Sequence, residues 1–77
     1  MPNVTIYSTP TCPYCHQAKR YLAEKGVSYI EHDVGSDVQA RDEMVRKTGQ
    51  LGVPVIDVDG KIIVGFNRPK LDELLGK

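Results

Sequence analysis

Val4-Thr5-Ile6-Tyr7-Ser8-Thr9-Pro10-Thr11-Cys12-Pro13-Tyr14-Cys15 sets an alternating β-branched and aromatic run directly ahead of two cysteines, with an amphipathic stretch from Ala18 to Lys25 behind them. The first five residues read as a strand that Pro10 closes. A helix starting at the cysteines would place Cys12 at the N-cap and Pro13 at the first helical position, where a missing N–H costs nothing and the fixed φ suits the helix. Two residues three apart in that helix have Cα atoms roughly 5 Å from each other, within the span a disulfide accepts. The pair can therefore open and close without refolding the chain. A sulfur at the N-cap faces unpaired backbone N–H groups and the positive end of the helix dipole, so the spacing predicts a Cys12 that ionises readily. Cys15 lies one turn deeper, where that field has decayed. The outer sulfur is expected to attack and the inner one to resolve.

Working outward, Cys15, Ala18 and Leu22, with Tyr21 beside them, recur at helical spacing while Gln17, Lys19, Arg20 and Glu24 take the other face. Gly26 ends this helix. Ser28 to Val34 reads as a second strand, and its charges, Glu31, His32 and Asp33, suit a sheet edge. Ser36 with Gln39 three residues on forms a capping-box pattern for a helix running to about Thr48, with Val38, Met44, Val45 and Thr48 inward and Gly49 as its stop. Val55 to Val58 and Lys61 to Val64 flank Asp59-Gly60, a strong hairpin signal. Leu71, Leu74 and Leu75 give a last helix from Pro69 to Leu75, with Gly76 just past its end. The order is β-α-β-α-β-β-α: an α/β fold with a right-handed βαβ crossover, a hairpin and a closing helix around one four-stranded mixed sheet. Ligands commonly meet such sheets at strand carboxyl ends, where the cysteines lie.

With 77 residues the chain is expected to form one domain over residues 1–77. Ten basic residues balance ten acidic ones, so no electrostatic footprint for nucleic acid or a membrane surface is present. Met1-Pro2-Asn3-Val4 lacks the basic and apolar segments of a secretory signal, and the apolar run Ile62 to Phe66 is too short to cross a bilayer. A cytoplasmic monomer is the expectation. In a reducing compartment a close cysteine pair is more often catalytic or metal-binding than a structural staple. At the strand-to-helix junction of a βαβ pattern, C-x-x-C reads as a thioredoxin-like redox motif. Structural zinc would need further ligands, and only His16 and His32 are offered. Cys12 to His16 also fits the C-x-x-C-H pattern of haem attachment, but the predicted strands contradict a mostly helical haem pocket. His16 is expected to be exposed and Met44 to fill core. A binding role stays open as the alternative: an iron–sulfur carrier with a [2Fe-2S] cluster held by Cys12 of two copies and two external thiols.

Two loops complete the candidate site. Val53-Pro54 precedes the third strand, and a cis bond there would turn the Val53 backbone outward as a short edge on which a peptide-like substrate could pair. Gly65-Phe66-Asn67-Arg68 leads into the last helix, with Asn67 or its neighbour as N-cap, and N–H groups at such a terminus bind carboxylates readily.

On Tyr7, Cys12-Pro13-Tyr14-Cys15, Gly26-Val27, Val53-Pro54 and Gly65-Phe66, the sequence resembles the glutaredoxins from Val4 to about Leu75. The resemblance implies a thioredoxin-like fold and reduction of protein disulfides and glutathione mixed disulfides. It further implies Cys12 as nucleophile, Cys15 as resolving thiol and a cis bond at Pro54, with no bound cofactor or metal and glutathione as co-substrate. By the same carry-over Tyr14, Gln50, Val53, Pro54, Phe66 and Asn67 would line a glutathione groove that Thr9 and Gly65 also border. Three positions depart from the family pattern. Thr9 stands where lysine is common, Val64-Gly65 where Gly-Gly is familiar, and Asn67 where an acidic residue often sits. Each lost charge-assisted contact costs about 1.5–3 kcal/mol, which predicts weakened glutathione binding. Gly65-Phe66 followed by Arg68-Pro69 is also similar to the short redoxins of ribonucleotide reductase, which implies thioredoxin reductase as a possible electron donor.

Overall fold

The computed structural model describes residues 3–50 and 52–75. Its elements are β1 (Val4–Ser8), α1 (Pro13–Glu24), β2 (Tyr29–Asp33), α2 (Val38–Thr48), β3 (Val55–Val58), β4 (Lys61–Val64) and α3 (Arg68–Leu75). The fold is α/β and thioredoxin-like. The sheet runs β2-β1-β3-β4, with β1 parallel to β2 and antiparallel to β3, and β3 antiparallel to β4. β2 is thus an edge strand, as its charges predict. No helix among the described residues is long and apolar enough to cross a membrane.

Alternation along the strands sorts the core into two clusters. Val4 and Ile6 of β1 face the same way as their partners Val58 and Ile56 of β3, and pack with Ala18, Tyr21 and Leu22 of α1, Ile63 of β4 and Leu71 of α3. Tyr7 and its partner Val55 point to the opposite face and meet Ala40 and Met44 of α2. One helix covers one face and two cover the other.

Local chemistry sets the element ends. Gly26 has φ 68°, and the N–H groups of Gly26 and Val27 donate to Ala23 O and Leu22 O at 3.1 and 3.0 Å. This closing motif satisfies the last carbonyls of α1. Asp59 and Gly60 both have positive φ, 52° and 89°, the type I′ hairpin turn that matches strand twist. Asp59 N–H donates to Asn3 O, and Asn3 N–H to Asp59 Oδ1, tying the turn to the start of β1.

Two expectations for α2 need correction. Its N-cap is Asp37, whose Oδ1 accepts the Ala40 N–H at 3.1 Å, and the Ser36–Gln39 capping box does not form. The N–H groups of Ser36 and Asp37 both donate to Asp33 O, so Ser36 belongs to the preceding turn. Val38, expected inward, is 58% exposed, and Ala40 is the buried residue of the first turn. Gly49 does end the helix, in the left-handed conformation. Gly76, read as the residue past α3, lies outside the described residues.

Candidate active site

Cys12 occupies the N-cap of α1 in extended conformation, with Pro13 beginning the helix. Its Sγ accepts the Cys15 N–H at 3.3 Å, so the first turn of the helix delivers one of its free donors to the sulfur. The loop is pinned on both sides of the cysteine. Cys12 N–H donates to Thr9 O at 3.4 Å, and the ring Nε2 of His16 lies 2.8 Å from Pro10 O. His16 is exposed and holds the approach to the helix, while Met44 is buried in core.

The two thiols occupy different surroundings. Cys12 is half-buried and Cys15 fully buried. Burial, and then the hydrogen bond with Cys12, push the Cys15 thiol up to about 11, against the pull of the Thr9 backbone and the Lys19 ammonium. Cys15 is therefore a protonated thiol at neutral pH.

Contacts bring several further predicted residues to this place. Cys12 Sγ is 4.0 Å from Val53 O, across 41 positions of sequence. The Val53–Pro54 peptide is cis. Pro54 is buried, and its carbonyl accepts the Gly65 N–H at 2.7 Å, which joins the β4–α3 loop to the Val53-Pro54 segment. Tyr14 stands on the first turn of α1, 62% exposed. Thr9 is half-buried ahead of the cysteines, and Gln50 is exposed, its backbone bonded to Thr48 Oγ1 just past α2. Asn67 caps α3 through Oδ1, which accepts the Lys70 N–H at 3.2 Å. Phe66 packs edge-on against Tyr21 with ring centroids 5.9 Å apart. Both rings line a cleft of about 160 Å³ with Gln17, Arg20, Glu24 and Arg68.

The helical pattern assigned Lys19 to solvent and gave Glu31 no role beyond edge charge. In the structure Lys19 Nζ binds Glu31 Oε2 at 2.8 Å, and the same oxygen accepts the hydroxyl of buried Ser8 at 3.2 Å. This chain of polar groups lies beside Cys15. The signal available in sequence was the four-residue spacing of Cys15 and Lys19, which sets both on one side of a helix.

The glutaredoxin family model matches residues 4–63. The chain belongs to the glutaredoxin family. A glutaredoxin-like 8.6 kDa protein in the rubredoxin operon of Clostridium pasteurianum is 47% identical, over 96% of this chain and 99% of that protein. Glutaredoxin 3 of Escherichia coli K12 is 45% identical, over 97% of this chain and 99% of that one. Among solved structures, glutaredoxin Grx-1 of Archaeoglobus fulgidus superposes with TM-score 0.89 at 26% identity, covering 100% of this chain and 89% of that one. Family and fold together make this glutaredoxin a thiol–disulfide oxidoreductase.

Proposed function

We propose that this glutaredoxin reduces protein disulfides and glutathione mixed disulfides through a Cys12/Cys15 dithiol, as a cytoplasmic monomer with glutathione or thioredoxin reductase as electron source. One observation carries the reading: the sulfur at the α1 N-cap is half-exposed and hydrogen-bonded by the first turn, while its partner is buried one turn inward. The thiolate of Cys12 attacks a substrate sulfur, the substrate S–S bond breaks, and the departing thiolate takes a proton. Cys15 then attacks Cys12 Sγ of the mixed disulfide. The second substrate thiol leaves, and the Cys12–Cys15 disulfide holds the two electrons' worth of oxidation until a reductant returns them.

Positioning supports the same reading. Val53, across from Cys12, offers backbone groups to an extended peptide, with Tyr14 exposed on the flank and Pro54, Gly65, Phe66 and Asn67 beyond. Thr9 and Asn67 carry no charge, which favours substrates held by backbone and apolar contacts over tight capture of free glutathione.

Cys12→Ser should abolish turnover, whereas Cys15→Ser should lose activity on protein disulfides and keep it on glutathione-capped substrates, where free glutathione can resolve. Wild-type reductase activity in Cys12→Ser would end the assignment. NADPH consumption with glutathione plus glutathione reductase, compared with thioredoxin reductase alone, identifies the donor.

A further inference from the structure

We propose that Lys19, clamped by Glu31, is a positioning residue for the second half of the reaction: it supplies the positive charge against which the buried Cys15 sulfur becomes a nucleophile. The inference rests on the dithiol reading above and extends it to a residue outside the Cys-Pro-Tyr-Cys motif.

The geometry is local and fixed. Cys15 and Lys19 are four apart on α1, so their Cβ atoms lie about 6 Å from each other on one side of the helix. Lysine side chains ordinarily extend into water, yet that of Lys19 is only 19% exposed. Glu31 holds it, reaching across from β2, and Ser8 Oγ donates to the same carboxylate oxygen. Ser8 is 1% exposed and directly precedes Thr9, whose backbone faces the Cys15 sulfur. The groups acting on Cys15 are Cys12 and the Thr9 backbone from the loop and Lys19 from its own helix; Glu31 and Tyr29 of β2 act on Lys19, and Asp33 on Glu31. Lys19 is the one cation among them.

Resolution needs this charge more than attack does. Burial opposes ionisation of Cys15, and the hydrogen bond with Cys12 adds to that opposition in the reduced protein. Once Cys12 is in a mixed disulfide, its sulfur no longer competes for negative charge, and the ammonium beside Cys15 still favours the thiolate. Cys15 Sγ then bonds to Cys12 Sγ, the Cys12–substrate S–S bond breaks, and the leaving thiolate departs with the electron pair and takes up the proton that Cys15 gave. No outside reagent is required for this balance.

Ellman's reagent separates the two halves, because one thionitrobenzoate is released by the bimolecular attack of Cys12 and a second by unimolecular resolution through Cys15. Removing the cation should move the Cys15 titration up. The smaller thiolate fraction at neutral pH is partly offset by higher intrinsic nucleophilicity, for a net slowing of about threefold. Lys19→Met is therefore expected to slow the second release about threefold at pH 7, shift its pH profile alkaline and leave the first release unchanged. Lys19→Arg should restore the second phase, and Glu31→Gln, which frees Lys19 to swing outward, should slow it by a smaller factor. Equal slowing of both phases, or an unchanged second phase and pH profile, would overturn the role of Lys19. Failure of the underlying dithiol reading has a different signature, since the wild type itself would then show no unimolecular second release and Cys12→Ser would keep its disulfide reductase activity.

Discussion

Beneath α1 and α3 the sheet presents Val4, Ile6, Ile56, Val58 and Ile63, all nearly or fully buried, whereas beneath α2 it presents Tyr7 and Val55 with Asp57 beside them. The second face makes up the difference with charge. Lys47 of α2 binds the Tyr7 hydroxyl at 3.0 Å, Asp57 at 2.9 Å and Glu43 at 3.2 Å, and Glu43 accepts the Tyr7 hydroxyl at 2.6 Å. These contacts push Lys47 above its ordinary range, the Tyr7 hydroxyl bond being the largest cause, and hold Glu43 below its own. Apolar burial is insensitive to salt and to mild pH change, while ion pairs at partly exposed sites respond to both. The helix carrying the cysteines is therefore anchored by the sturdier of two mechanisms, and α2 by the adjustable one.

The largest break in this contrast should come from the apolar face. Leu22→Ala opens a cavity at a fully buried position and is expected to cost about 2–5 kcal/mol in urea unfolding, a deficit that persists in 1 M salt. On the other face Lys47→Met should cost about 1–2 kcal/mol, since it strips Tyr7, Glu43 and Asp57 of a shared partner. Its deficit relative to the wild type should shrink in 1 M salt, where the intact network is already screened. Equal salt dependence for the two variants would erase the distinction. At the start of α2, Asp37→Ala should cost about 1 kcal/mol, whereas Ser36→Ala should stay within about 0.5 kcal/mol, which thermal melts resolve.

The smallest effect concerns pH. Glu43 is depressed in the folded state, through the Tyr7 hydroxyl bond first and Lys47 next. Its contribution is present above the ordinary glutamate value and is lost as pH falls through the lower, folded one. Glu43 is half-exposed, so the contribution is below about 1 kcal/mol. Glu43→Gln should lower the plateau near neutrality by that amount, leave the acid end close to that of the wild type, and so flatten the acid limb of stability. Glu31, depressed chiefly by Lys19, keeps a residual slope of the same sign on the opposite face.

What the sequence made legible is what local spacing determines. The Cys12–Cys15 separation, Gly26 as a stop, and the Asp59-Gly60 hairpin with both flanking strands all follow from neighbours within a few positions. The start of α2 departs from the sequence pattern for the same kind of reason, because Ser36 and Asp37 are both good N-cap residues side by side. The choice fell to Asp33, whose carbonyl gathers the N–H groups of Ser36 and Asp37 and whose carboxylate takes that of Gly35. That moved the cap on by one residue and gave Ala40 the buried place expected for Val38. The approach of Val53 to Cys12, and the alignment of Ser8, Glu31 and Lys19, depend instead on pairings between segments far apart in the chain. Ser8 stands beside Asp33 in the parallel register of β1 and β2, a match that neither segment encodes alone.

The antiparallel pairing of β1 with β3 sets Val4 against Val58, so the Asp59-Gly60 turn projects from the end of the sheet opposite the cysteines. A dye, an affinity handle or an electrode linker spliced into that turn would leave the half-exposed Cys12 sulfur open to solution. Enzyme immobilised this way should accept bulky oxidised clients as readily as the free molecule does.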